Sequence, residues 1–359
     1  MKVVLINHSD TLGGASVVTF RLMEALRREG VDVRMLVVSK RSDSPWVEQA
    51  APHWLTRLPF LAEHLRIFSR NGFNRSDLFK VSIATDGLPL HRHPLVREAD
   101  AVILNWVNQG MLSFSEIRRI AAAKPTLWTM HDMWNITGVC HHSGDCMRYQ
   151  SRCCRCPLLH RCAGDNDLSA RTFARKQALY AASDIRFVAV SNWLADKARR
   201  SALTVDAAVE MIPNAFDIDA LSRPASLTRE QLGLPPTGRI VLMCAARLDG
   251  PVKDLPAAIE AINSLVGTDA VAALVGDIRY PEVLQTLRLP FVHLGSIYDK
   301  DRLQSVMAHS SVVLSSSRYE SFGATLLEGQ AAGATPVGFV HDGRADIITA
   351  VSYTHLRAH

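Results

Sequence analysis

Short apolar runs bounded by turn residues alternate along this chain with longer stretches whose apolar positions repeat every three to four residues. Val3 to Ile6 is such a run. A loop through Gly13 and Gly14 follows, and Val17 to Leu26 has helical periodicity that Gly30 stops before the next run, Val33 to Val38. Further strand-like runs fall at Ala101 to Leu104, Thr126 to Thr129 and Phe187 to Val190. A second series starts at Arg239 to Cys244 and continues at Val271 to Val275, Val292 to Leu294 and Val312 to Leu314, with helical stretches between. Alternation of this kind predicts two α/β domains, each a Rossmann-like parallel sheet. We place the boundary near Pro213 to Ser222, giving residues 1–212 and 213–350.

The chain has 359 residues, 48% of them hydrophobic, enough for two full cores. A formal charge of +5 is too small to indicate a nucleic-acid partner, and is compatible with acidic small molecules or an anionic membrane surface. No apolar run approaches the roughly 20 residues that span a bilayer. The start, MKVVLINHSD, lacks a signal peptide's apolar core and cleavage site and reads as a first strand. A cytoplasmic protein is expected, with peripheral contact to the inner face of the membrane as an option.

The stretch YESFGATLLEGQAAGATPVG carries the sharpest chemistry. It reads as a loop, a helix over Ala324 to Ala332 stopped by Gly333, and a strand over Thr335 to Phe339. Glu320 then lies on the strand-to-helix loop and Glu328 in the second helical turn. Both can serve one ligand beyond the strand's carboxyl end. Between them Ser321, Phe322, Gly323 and Ala324 open a helix N-terminus, which favours phosphate through free N–H donors and the helix dipole. Carboxylates accept from hydroxyls, so the combination describes a ligand with both sugar and phosphate. Two solvated glutamates on an amphipathic helix are the plainer alternative.

Just after the first strand of the second half comes AARLDGPVKDLPAAIEA. Arg247 and Lys253 are read there as loop residues leading to a helix, where two cations could hold a diphosphate. The glycine pair Gly13 and Gly14 lets backbone approach a ligand at the first helix start.

Together these residues resemble the retaining glycosyltransferases of family 4, which have the GT-B fold: two Rossmann-like parallel-sheet domains facing a cleft. The resemblance rests on Arg247 with Lys253, on Glu320 with Glu328, and on VSNWLADKA and IPNAFD near the domain junction. It implies that Arg247 and Lys253 grip the donor diphosphate, that Glu320 contacts the donor sugar and that Glu328 contacts the ribose. The first half, through HPLVREADAVILNWVNQGMLS and TLWTMHDMWNITGVCHHSGDC, resembles the colanic-acid and exopolysaccharide branch. That implies a role for His131 near the reacting carbon. By position, His131 follows a predicted strand directly, at the edge where α/β chemistry occurs, and could donate a hydrogen bond to developing charge. The reaction implied is sugar transfer from a nucleotide diphosphate to a glycan or lipid-linked glycan, with retention and without catalytic metal. The resemblance fades near residue 350, so the second domain reads as incomplete and 351–359 as an unrelated tail. A nucleotide-sugar epimerase of the same fold and a zinc-dependent binding module remain as alternatives.

Six of seven cysteines fall in an insertion at 140–162. Such density in a cytosolic protein suggests metal before disulfides. Cys140, Cys146, Cys153 and Cys156 match the branch's pattern, and four thiolates suit structural zinc, with free thiols and disulfides as the other readings. Trp54 to Lys80, basic and laced with aromatics, could lie on a membrane or form a solvated insertion.

Overall fold

The structure is a computed structural model that describes residues 1–75 and 77–348; the expected tail lies outside the described residues. The chain divides into two compact units, Met1–Phe216 and a second from Asp217 onward.

The first unit contains a seven-strand sheet in the order β3-β2-β1-β4-β5-β6-β7, all neighbours parallel. Its strands are β1 (Lys2–Ser9), β2 (Asp32–Ser39), β3 (Val47–Gln49), β4 (Ala101–Leu104), β5 (Thr126–Met130), β6 (Ile185–Ala189) and β7 (Val209–Met211). Covering helices bury both faces of a parallel sheet, so the central strands read as unbroken apolar runs; Leu5, Ile6, Val102 and Leu104 are fully buried. The main helices here are α1 (Gly14–Arg28), α2 (His53–Arg70), α3 (Phe114–Ala123), α4 (Leu168–Ala181) and α5 (Asn192–Arg199). Ser113, Asp167 and Ser191 cap α3, α4 and α5 by accepting from backbone N–H groups in the first turn. The three-residue edge strands β3 and β7 are too short to show a pattern in the sequence.

The second unit holds a five-strand parallel sheet, β10-β9-β8-β11-β12. Its strands are β8 (Arg239–Arg247), β9 (Ala270–Asp277), β10 (Phe291–Gly295), β11 (Val312–Ser315) and β12 (Thr335–Gly338), with helices α6 (Leu255–Asn263), α7 (Lys300–Ala308) and α8 (Ala324–Ala331). The predicted βαβ unit is β11-α8-β12. Here α8 lies so close to its strand that a Cβ at Gly329 would meet Val313 Cγ2 at 2.3 Å. One expectation is corrected: β8 runs on to Arg247, which therefore ends a strand instead of sitting on the loop.

In both sheets the strand order reverses beside the first strand of the unit, between β1 and β4 and between β8 and β11. At such switch points the loops diverge and leave a crevice at the carboxyl ends. Of the predicted site residues, Gly13 and Gly14 after β1, Lys253 after β8 and Glu320 after β11 lie there, and His131 follows β5, one strand further out. Among the described residues no helix is long and apolar enough to cross a membrane.

Candidate active site

In the second unit the two motifs meet. Lys253 Nζ lies 2.6 Å from Glu320 Oε1, across 67 positions of sequence. Burial pushes the Glu320 carboxyl up, but Lys253 and a hydrogen bond from Ser317 outweigh it and hold the group below the usual carboxylate range. Both side chains keep some exposure, 32% and 24%, so the pair contributes little net stability and a competing anion can displace it. The loops are tied at backbone level as well: Ser316 Oγ donates to Lys253 O (2.7 Å) and Arg318 N to Val252 O (2.8 Å).

Arg247 does not join this contact. Its Nε donates to Asp249 Oδ1 at 2.7 Å, and Asp249 Oδ2 in turn accepts from Arg279 N and Tyr280 N at 2.8 and 2.9 Å. The two expected diphosphate cations are thus present at one sheet edge, each held by its own carboxylate. Glu328 is half-buried on α8. Burial raises the Cys244 thiol of β8 to about 12, with Glu328 pushing it further up and Lys253 opposing, so each of the two lies within electrostatic reach of that thiol.

Beneath the Glu320 loop lies an ion pair that the motif reading missed. Arg344 is fully buried and donates to Asp342 through Nε (2.9 Å) and Nη2 (2.8 Å). Asp342 Oδ2 also accepts from Glu320 N at 2.7 Å. Gly323 adopts φ 96°, a left-handed value that glycine tolerates, and a Cβ there would meet Arg344 Cγ at 2.9 Å. No side chain caps α8, whose N-terminal turn begins from this Gly323. Phe322 is buried beneath the loop and Ser321 half-buried on it, with Ala324 opening the helix.

In the first unit, His131 Nε2 lies 3.0 Å from Asn105 Oδ1. The Asn105 amide nitrogen donates to Ile103 O, so its oxygen faces the imidazole and Nε2 is the donor. Burial pushes His131 down to about 4, against Asp132, which keeps the ring neutral at pH 7. Its donor is therefore spent on Asn105 and Nδ1 is left as an acceptor; donation to a ligand requires Asn105 to release it. Asp132 Oδ2 accepts from Trp106 Nε1 (2.9 Å) and His141 Nδ1 (2.7 Å), while Oδ1 accepts from Trp134 N (2.8 Å). These bonds outweigh burial and hold Asp132 below the usual carboxylate range. Trp106 N reaches Asn7 Oδ1 at 2.9 Å, and the Trp106 ring lies 5.6 Å from both His8 and His141. Gly13 (φ 88°) precedes α1, and no side chain caps that helix. The exposed Gly13 and Gly14 leave open space where a Cβ would stand.

The cysteine-rich insertion packs against this network. Lys176 of α4 is fully buried. Its Nζ donates to Trp134 O and Thr137 O and lies 3.5 Å from the Trp134 ring centroid, while burial lowers it to about 7. All seven cysteines are free thiols. Burial raises Cys153 and Cys156 to about 12, and each also feels the charge of Cys140. Cys146 acts on Cys140 and Cys153 in the same way. The four are thus neighbours, yet among the described residues no group of three or more His, Cys, Asp or Glu is arranged to hold a metal ion.

Comparison with known proteins agrees with this geometry. The family model for Glycosyltransferase Family 4 matches residues 12–220, and that for Glycosyl transferases group 1 matches residues 239–353. WcaC of Escherichia coli (strain K12), assigned as a colanic acid biosynthesis glycosyl transferase, is 29% identical over 100 residues, covering 26% of this chain and 23% of that protein. Among solved structures, sucrose-phosphate synthase from Thermosynechococcus elongatus aligns with a TM-score of 0.65 at 18% identity, covering 99% of this chain and 86% of the other. Anabaena HepE in complex with UDP and glucose aligns at 0.56 and 17% identity, covering 97% and 83%. These likenesses give the GT-B fold. With more than half of its length matched by one family model, and with the expected motif residues at the switch points of both sheets, the chain belongs to glycosyltransferase family 4.

Proposed function

We propose that the protein transfers a sugar from a nucleotide diphosphate donor to a glycan or lipid-linked glycan acceptor, with retention, in exopolysaccharide or surface-polysaccharide synthesis. The observation that carries this reading is the convergence of Lys253 and Glu320 at the second switch point, beside Arg247 and Glu328. On donor binding the diphosphate takes the place of Glu320 on Lys253, and the freed carboxylate accepts from the sugar hydroxyls. Arg247, oriented by Asp249, and the uncapped start of α8 complete the anion site. Glu328 accepts from the ribose. The side chains supply positioning and electrostatic stabilisation of the departing diphosphate, whose charge the cations already meet, so no catalytic metal is needed. The WcaC match and the exopolysaccharide-type motifs of the first half support the polysaccharide setting, on the cytoplasmic side where nucleotide sugars are made.

Calorimetry with a panel of nucleoside diphosphates tests the grip. Lys253→Ala and Arg247→Ala should each lower affinity by roughly 10- to 150-fold, the range of a lost charged hydrogen bond. Unchanged affinity in both would end the assignment.

The four neighbouring thiols, Cys140, Cys146, Cys153 and Cys156, suit a structural zinc by the chemistry of their donors, and binding would require them to close up and deprotonate. Elemental analysis of freshly reduced protein should find about one zinc per chain; a metal-free protein of full stability would favour free thiols.

A further inference from the structure

α2 has a buried face and, opposite it, an exposed apolar one. At about 100° per residue, its buried positions Thr56, Glu63 and Ile67 group on one side, while Trp54, Leu58, Leu61 and Leu65 fall within about 60° of each other on the other. The second group is 66%, 59%, 58% and 65% exposed. The helix cannot roll to hide them. Buried Glu63 accepts from Ile83 N (2.7 Å), Ala84 N (3.0 Å) and Gly110 N (2.6 Å). At that last contact the backbones are so close that a Cβ on Gly110 would meet Phe60 N at 2.4 Å. A buried face that carries Thr56 and Glu63, with leucines exposed opposite it, explains why the periodicity of this segment looks irregular in the sequence.

The patch extends past the helix. Exposed Phe73 meets Phe68 with ring centroids 5.4 Å apart, and exposed Phe79 meets His64 at 5.0 Å. Cations surround it: Arg57, Arg66, Arg70, Arg75 and Lys80 are all exposed. The nearby acids Asp86 and Asp77 pair with Arg66 and Lys80, which leaves Arg57, Arg70 and Arg75 without an ion-pair partner among the described residues. An apolar stripe with a net positive border matches an anionic lipid surface, whose acyl boundary takes the stripe and whose headgroups take the cations.

We propose that this fixed face of α2, with Phe73 and Phe79, seats the protein in the interface of an anionic bilayer. The proposal rests on the reading of a lipid-linked acceptor, which such seating would bring within reach.

The test is flotation of the full chain with vesicles of mixed phosphatidylglycerol and phosphatidylcholine, against vesicles of phosphatidylcholine alone. Binding should occur on the anionic vesicles, fall roughly 30-fold on removing two charges in Arg57→Ala/Arg70→Ala, and weaken with salt. Leu58→Glu/Leu61→Glu should lower it by about 100-fold or more, with an unchanged unfolding temperature because both sites are exposed. Tryptophan emission should shift to the blue on the vesicles, and Trp54→Phe should remove that shift. The inference is overturned if the wild-type chain ignores anionic vesicles, if the Leu58→Glu/Leu61→Glu variant binds them as well as wild type, or if the face instead forms a concentration-dependent dimer that this variant abolishes. Nucleoside diphosphate binding, measured on the same samples, separates the two readings. Loss of vesicle binding with intact nucleotide binding overturns this inference alone, and the reverse overturns the proposed function alone.

Discussion

The carboxyl edges of the two sheets carry polar groups of different character. At the first, Trp106 and His141 donate to the Asp132 carboxylate and Asn7 accepts from the Trp106 backbone, while the neutral His131 imidazole donates separately to Asn105. At the second, Lys253 with Glu320 and Arg247 with Asp249 are ion pairs that keep part of their surface in water. At the first edge one carboxylate gathers neutral donors around it, and the His131 donor is already spent on Asn105. The second edge pairs opposite charges, Lys253 with Glu320 and Arg247 with Asp249, and under the proposed function a diphosphate would replace Glu320 on Lys253. A site for a diphosphate must satisfy its cations both with and without ligand, and paired carboxylates do this with little net energy.

The largest expected effect breaks the second edge from below. Arg344→Met leaves Asp342 buried without its partner, so urea unfolding should show a loss of about 3–5 kcal/mol, part of which Asp342→Ala in the same chain should restore. A loss below about 1 kcal/mol would mean that the pair does not support the Glu320 loop.

Next comes the first edge, through pH. His131 has a folded-state value near 4 against 6.5 when unfolded. Between those values the unfolded chain binds the extra proton, so this contribution is complete above pH 6.5 and falls as pH drops towards 4, by about 3 kcal/mol. Stability measured against pH for wild type and His131→Gln should diverge in that window. Parallel curves would show that the ring is not held neutral by burial.

The smallest effect sharpens the comparison most. Because Glu320 pairs with Lys253, Glu320→Gln should tighten nucleoside diphosphate binding slightly, by up to about fivefold, or 1 kcal/mol. It should also reduce turnover of the sugar donor, since a contact to the reacting ring matters most as the anomeric carbon gains charge. Glu328→Gln should instead weaken diphosphate and donor alike. Calorimetry beside steady-state kinetics would decide, and equal loss of diphosphate affinity in both variants would place the two carboxylates at the same end of the ligand.

By itself the sequence determined the alternation of strand and helix, the two parallel-sheet units, and the strand that precedes each candidate site loop. These are local properties: apolar runs buried on both faces, glycines where φ is positive, and charges at strand ends. Only the tertiary structure decided which of them meet. Lys253 and Glu320 are 67 positions apart and come together because β8 and β11 are neighbours. Arg247 turns to Asp249 because β8 runs three residues further than its apolar run. Asp342 and Arg344 look like ordinary surface charges in the sequence and are buried because the chain folds their segment under the Glu320 loop. The irregular stripe of α2 became two clean faces only once the Glu63 clamp fixed which side points inward. Periodicity records which residues share a side of an element, but partners far along the chain are chosen by strand order and by burial, and neither is a property of any local stretch.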